Sequence, residues 1–190
     1  MISYLKRVEI MKKINKSRYA ILGLLLDKPR SGYEIKQFML EFTIHFWQES
    51  DASIYPMLKT LEVEENVTSK SEFVGRRERT IFEITEAGKN EFLQWLVLPA
   101  EEGTRRNEYL LKLFFSANAT KEDVIQQLQL RQKSIEESEV RFRNIAENVL
   151  SKVSDENDRK LFWTLTLNNG IMHVKAEERW LADCLKMLKK

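Results

Sequence analysis

The chain has 190 residues with only six glycines and three prolines, a share well under the usual ~12%, which excludes collagenous, low-complexity and loop-rich disulfide scaffolds and favours long helices. One cysteine, Cys184, and two histidines, His45 and His173, allow neither an internal disulfide nor an ordinary structural zinc site. The net charge of +2 is sorted along the chain: nine basic against three acidic residues over 1–40, one against six over 41–66, and five of each over 67–97, so near-neutrality excludes no nucleic-acid partner, because charge is felt locally.

Residues 1–16 read as an N-terminal extension in which Leu5, Val8 and Met11 mark an amphipathic turn or two, or else the chain starts at Met11. From Lys16 the period is helical: Ser17 caps, and Tyr19, Leu22, Leu25 and Leu26 recur at three- and four-residue steps. The apolar run Tyr19 to Leu26 is far short of the ~20 residues of a membrane span, and Asp27-Lys28-Pro29-Arg30 follows it where a signal peptide would have small residues. The expected location is cytoplasmic, with no membrane contact. Ser31-Gly32-Tyr33-Glu34 is a capping box opening a second helix with the stripe Ile35, Phe38, Met39, Phe42 and Phe46. A third helix turns Ile54, Leu58 and Leu61 inward. Pro56 is comfortable only in a first turn, which places the start near Ala52 or Ser53 unless the helix bends. Asn66 is the expected left-handed cap.

The period then changes to 2. Val67 to Val74 and Arg79 to Thr85 suit strands, with Gly75-Arg76-Arg77 at the tip of a hairpin. Thr85 caps a fourth helix bearing Phe92, Leu93, Trp95 and Leu96 and ended by Pro99. Three helices, a hairpin with a basic tip and a further helix are the signature of a winged helix-turn-helix over residues 17–98.

Residues 104–190 read as a helical arm, so the whole is mostly α with a small β-hairpin. A short helix spans Asn107 to Ser116. A long one opens at Thr120, with Asp123 completing its cap, and runs to about Val153. Val124, Leu128, Ile135, Phe142, Ile145 and Val149 fall on one heptad seam, with Arg131 and Ser138 at its two other positions. The last helix, from about Asp155, carries Leu161, Leu165 and Met172 on one stripe and Trp163, Leu167, Ile171, Val174, Leu181, Leu185 and Leu188 on another. So greasy a helix needs cover, and a second subunit is the economical source. The expected dimer interface is Val124, Leu128, Ile135, Phe142, Ile145, Trp163, Leu167, Ile171, Val174, Leu181 and Leu185. The alternative is a monomer whose winged domain folds back on the arm.

The segments YAILGLLLDKPRSGYEIKQF (19–38), FWQESDASIYPMLKTLE (46–62) and RTIFEITEAGKNEFLQWL (79–96) resemble the PadR family of bacterial transcriptional regulators. In the arm, EYLLKLFF (108–115) and the stretch Gly170 to Leu181 are similar to the helical C-terminal domain of its longer members. Where the family commonly has Pro-Gly before SIYP, this chain has Asp51-Ala52, which puts a negative charge at the opening of the third helix. The resemblance implies a homodimeric repressor of double-stranded operator DNA, released by a small, often aromatic effector near the domain junction. Candidate walls for that effector are Trp95, Phe114, Trp163, His173 and Trp180, residues that at helical spacing also serve as core.

A reading helix needs a greasy anchoring face and a face whose side chains reach base edges or phosphates. Ser53, Tyr55, Pro56, Lys59 and Thr60 lie toward the second of these. The competing readings are packing for Tyr55 and a plain solvated lysine for Lys59. Arg76, Arg77 and Arg79 at the hairpin tip suit the negative potential of a minor groove. Arg18, Ser31, Tyr33 and Lys36 are candidates for backbone contacts that set register. Catalysis is not expected: Ser50, Ser53 and His45 lie close in sequence, but there is no nucleophile turn or phosphate loop, and no cofactor or metal is implied. The alternative function is a winged helix that binds an acidic protein partner without operator DNA.

Overall fold

The computed structural model describes residues 15–74, 77–101, 106–153 and 158–189. The chain divides into two compact units, Met1–Gly103 and Thr104–Lys190.

In the first unit, α1 spans Ser17–Leu25. Its cap position is Lys16, which gives no side-chain bond; the Ser17 N–H donates instead to Asn15 Oδ1 at 3.0 Å. Capping therefore falls to Asn15, not to Ser17, because the helix opens one turn position earlier than the apolar period indicates. A two-residue strand, β1 (Arg30–Ser31), follows. The capping box then opens α2 (Gly32–Phe38) as expected: Glu34 N–H donates to Ser31 Oγ at 3.3 Å, and Ser31 N–H to Glu34 Oε2 at 2.7 Å.

The apolar stripe of α2 buries Ile35 and Met39 and then fails. Residues Met39–Thr43 form a π-turn, whose wider step slips the phase of the stripe, so Phe46 emerges exposed. Helix α3 runs Asp51–Val63 with Ser50 at its cap. It begins before the start that Pro56 indicates, so Pro56 sits in its second turn. Ile54, Leu58 and Leu61 are wholly buried.

The left-handed residue that ends α3 is Glu65 (φ 58°), not Asn66. Asn66 serves differently: its N–H donates to Leu61 O at 2.8 Å, its carbonyl accepts from Thr85 N at 3.1 Å, and its side-chain amide donates to Glu91 at 2.9 Å. Strands β2 (Val67–Val74) and β3 (Arg77–Ile84) form the hairpin, antiparallel from Val67↔Ile84 to Val74↔Arg77. β1 pairs with β3 through Arg30↔Phe82 and Ser31↔Ile81, giving the sheet order β1-β3-β2. Two residues carry no periodicity, so this third strand has no signature in the sequence. Thr85 caps α4 (Glu86–Leu96), accepting from Gly88 N at 3.1 Å. Helix α4 packs on α1: Phe92 lies over Gly23, and Trp95 stacks on Tyr19 with centroids 4.4 Å apart.

In the second unit, α5 (Glu108–Phe114) is capped by Asn107. α6 (Lys121–Asn144) is capped by Thr120, whose Oγ1 accepts from Asp123 N at 3.1 Å and donates to its carboxylate at 2.6 Å. A π-turn (Ile145–Val149) and a 3-10 turn (Leu150–Lys152) finish this segment, and α7 spans Arg159–Leu188. The heptad seam forms, but inside one chain. Val124, Leu128, Ile135, Phe142 and Ile145 are buried in one cluster with Leu167, Val174 and Leu181. Leu128 and Leu181 are 0% exposed, so a second subunit could cover nothing more of them. Trp163, Ile171 and Leu185 are partly buried against the same cluster. The buried members of the expected dimer interface are thus covered within the chain itself, because α6 is long enough to line α7, while Trp163, Ile171 and Leu185 keep part of their surface open. Arg131, a polar seam position, meets Glu177 through a two-pronged ion pair at 2.6 and 2.8 Å.

The other stripe of α7 stays uncovered: Leu161, Phe162, Leu165 and Met172 are all more than half exposed. On α5, Leu111 and Phe114 are exposed too, Phe114 by 81%. Among the described residues no helix is long and apolar enough to cross a membrane.

Candidate nucleic-acid interface

The three buried side chains of α3 leave a continuous outer side of Tyr55, Pro56, Lys59 and Thr60, all exposed. Lys59 has no ion-pair partner among the described residues. Thr60 Oγ1 donates back to Pro56 O at 3.0 Å, so its one hydroxyl proton is already used within the helix. Tyr55 does two things at once. Its ring lies over the backbone of Gly32, where a β-carbon would stand 2.6 Å from Cε1, while 45% of the residue is exposed. Packing and exposure are compatible in one tyrosine because the flat ring can cover a neighbour on one side and stay open on the other.

Ser53 is less available. Its Oγ donates to Glu49 Oε2 at 2.6 Å and accepts from Ser50 N at 3.0 Å. Glu49 also takes the Trp47 indole N–H at 2.9 Å, so Ser53 belongs to the knot that fixes the turn into α3.

Arg18 and Ser31 leave the proposed DNA face altogether. Arg18 is buried, with its guanidinium 2.6 Å from Glu64 and 2.6 Å from Glu91. It ties α1 to the end of α3 and to α4, and no phosphate can reach it without breaking that tie. Ser31 is buried and spends its hydroxyl on the capping box. The backbone and side-chain hydrogen bonds from Ser31 hold the Glu34 carboxyl below its ordinary range, with smaller help from Arg79.

Tyr33 is well exposed at the start of α2. Lys36 lies beside it on α2, but its Nζ is 2.6 Å from Asp51 at the first residue of α3; that bond raises the pKa of the lysine. Arg79 on β3 bridges Glu34 and its cross-strand neighbour Glu72, each at 3.4 Å. Arg76 and the side chain of Arg77 lie outside the described residues.

The candidate effector walls are drawn from both units. Trp95 belongs to the first, stacked on Tyr19. In the second, Trp180 meets Tyr109 edge-on at 6.1 Å, Trp163 packs on the α6–α7 cluster, and Phe114 faces outward. His173 is exposed, its Nδ1–H donating to Asn169 O at 2.8 Å. Among the described residues no group of His, Cys, Asp and Glu is arranged to hold a metal ion.

Sequence reasoning missed Glu49, Asp51, Glu64 and Glu91 as partners. One signal was present: the acidic excess of residues 41–66 supplies Asp51 and Glu64 to Lys36 and Arg18 of the basic first forty. The sorted charge is in part an internal pairing.

Residues 21–94 match the family model of the transcriptional regulator PadR-like family, and residues 105–189 match that of the virulence activator alpha C-terminal domain. The negative transcriptional regulator PadR of Bacillus subtilis (strain 168) is 28% identical over 180 residues, 91% of this chain and 97% of that protein. The crystal structure of Bacillus subtilis PadR in complex with operator DNA superposes with a TM-score of 0.80 at 25% identity, covering 92% of this chain and 99% of that one. The PadR-like transcriptional regulator BC1756 from Bacillus cereus gives 0.77 at 26%, covering 90% and 97%.

Proposed function

We propose that this chain, a member of the PadR-like family of transcriptional regulators, which are not enzymes, binds double-stranded operator DNA as a homodimer and represses transcription. The observation that carries this reading is the outer side of α3: Tyr55, Pro56, Lys59 and Thr60 exposed directly above Ile54, Leu58 and Leu61, which are wholly buried. A helix so anchored can enter a major groove without rotating. Lys59 is the side chain that reaches a guanine edge or a phosphate. Tyr33 and the basic wing contact the backbone and the adjacent minor groove. On this reading the protein acts in the cytoplasm, where operator DNA is found.

The dimer is held by the faces that the chain leaves uncovered, Leu161, Leu165 and Met172 on α7 together with Leu111 and Phe114 on α5. Exposed apolar side chains in such number are otherwise a liability in water. Two reading helices must lie about 34 Å apart to meet successive major grooves. A small aromatic effector bound against the arm, with Trp163 and Trp180 as the nearest reporters, would change that separation and release the operator.

The test is an electrophoretic shift with the protein's own upstream DNA, repeated with Lys59→Ala. Retardation that weakens steeply with salt supports the reading. Lys59→Ala costs about 1–3 kcal/mol on the operator and relaxes one position of the site. If wild type and Lys59→Ala bind operator and random DNA alike, α3 is not the reading helix. Quenching of tryptophan fluorescence by phenolic acids or planar cations tests the effector.

A further inference from the structure

Two cations on the face turned toward DNA are already occupied by carboxylates of their own chain. Lys36 Nζ and Asp51 Oδ2 are 2.6 Å apart, joining α2 to the first turn of α3, with the lysine side chain 30% exposed and the aspartate 56%. Arg79 is shared at 3.4 Å between Glu34 and Glu72. Lys59, a little over two turns farther along α3, has no such partner among the described residues. A carboxylate at hydrogen-bonding distance from an ammonium offers what a phosphate oxygen would offer.

Resting on the DNA-binding reading, we propose that Asp51 is a positioning residue for the DNA contact: an internal competitor that holds Lys36 in the free protein and must be displaced before a phosphate can take the lysine. Three consequences follow from the chemistry. Lys36 releases little counterion when DNA binds, because its charge is already matched by Asp51 and not by solution anions. The displaced carboxylate stays near the phosphate it yields to and repels it. The lysine is also held in one place between the two helices, so its contact with a phosphate begins only once α3 is seated. Lys59 and Lys36 therefore play different parts: the first is open to any DNA that approaches, the second becomes available on docking.

The experiment uses the full chain and two fluorescent 30-bp duplexes, one of random sequence and one enriched from a random pool by the wild-type protein. Anisotropy titrations between 50 and 300 mM salt compare wild type, Asp51→Asn, Lys36→Ala and the double variant. Asp51→Asn is expected to bind both duplexes more tightly by about threefold to fivefold, the range of an exposed ion pair. It should also steepen the dependence of log affinity on log salt by about one. Asp51→Glu, which keeps the carboxylate, should behave as wild type. In the Lys36→Ala background the same Asp51→Asn change should gain less than half as much and leave the salt slope unmoved. An equal gain in both backgrounds, or no gain in either, overturns the competition while leaving DNA binding intact. Failure of wild type to bind either duplex at 50 mM salt overturns the DNA-binding reading itself and this inference with it.

Discussion

A β-carbon on Gly88 would stand 2.1 Å from the carbonyl oxygen of Asn66. That oxygen cannot move aside, because it accepts from Thr85 N and its own residue is anchored to the end of α3 through Leu61 O. The first turn of α4 is thus pressed against the exit of α3, and only glycine lets the backbones approach so closely. Gly88→Ala should cost about 2–3 kcal/mol of stability by urea unfolding, far more than alanine for glycine on an open helix face.

Arg18 gives the complementary case, where charge and not shape joins α1, α3 and α4. Arg18→Met removes the cation between Glu64 and Glu91 and leaves Glu91 poorly compensated. The loss should be about 1–3 kcal/mol, below the figure for a fully buried pair because Glu64 is 42% exposed. The salt slope of DNA binding should stay at the wild-type value. A slope reduced by about one would return Arg18 to the phosphate contacts.

What the sequence made legible follows from what periodicity and caps encode. The Ser31–Glu34 and Thr120–Asp123 boxes and the inward trio of α3 are local patterns and stand where local reasoning puts them; the hairpin forms as well, but its second strand runs Arg77–Ile84, so Arg77 pairs with Val74 where the period placed it in the tip. Pairings across distance were not legible. Lys36 and Asp51 are fifteen residues apart and Arg18 and Glu91 seventy-three, and no spacing rule joins them. The arm shows the same limit in another form. A heptad seam signals that a face is packed but not by what, so Leu128 and Leu181 read equally well as a dimer contact or as a core within one chain. Only the covered state of one stripe and the open state of the other separates the two.

The capping box of α2 predicts a pH dependence. Hydrogen bonds from Ser31 hold Glu34 below its ordinary value of 4.5. A carboxyl depressed in the folded state adds stability that is full above its unfolded value and is lost as pH falls through the folded one. Ser31→Ala should therefore raise the Glu34 titration midpoint, followed by carboxyl NMR. It should cost about 1 kcal/mol at pH 7, and the gap to wild type should narrow as pH is lowered below the Glu34 midpoint, the remainder being the Glu34 N–H bond to Ser31 Oγ, which does not titrate.

Two leucines distinguish the two stripes of the arm. Leu165→Glu, on the exposed stripe of α7, should shift sedimentation toward monomer while each chain stays folded by circular dichroism. Leu128→Ala, wholly buried, should lower stability by about 2–5 kcal/mol and leave the folded fraction dimeric.

The proposed dimer with its two reading helices is tested most directly by sequencing the duplexes that the purified full chain retains from a random pool. A two-fold symmetric site is expected, its half-sites centred one helical turn, about 10–10.5 base pairs, or a multiple of it apart, with one position in each half relaxed by Lys59→Ala. Retention with no enriched sequence, or enrichment of a single half-site without symmetry, would contradict it.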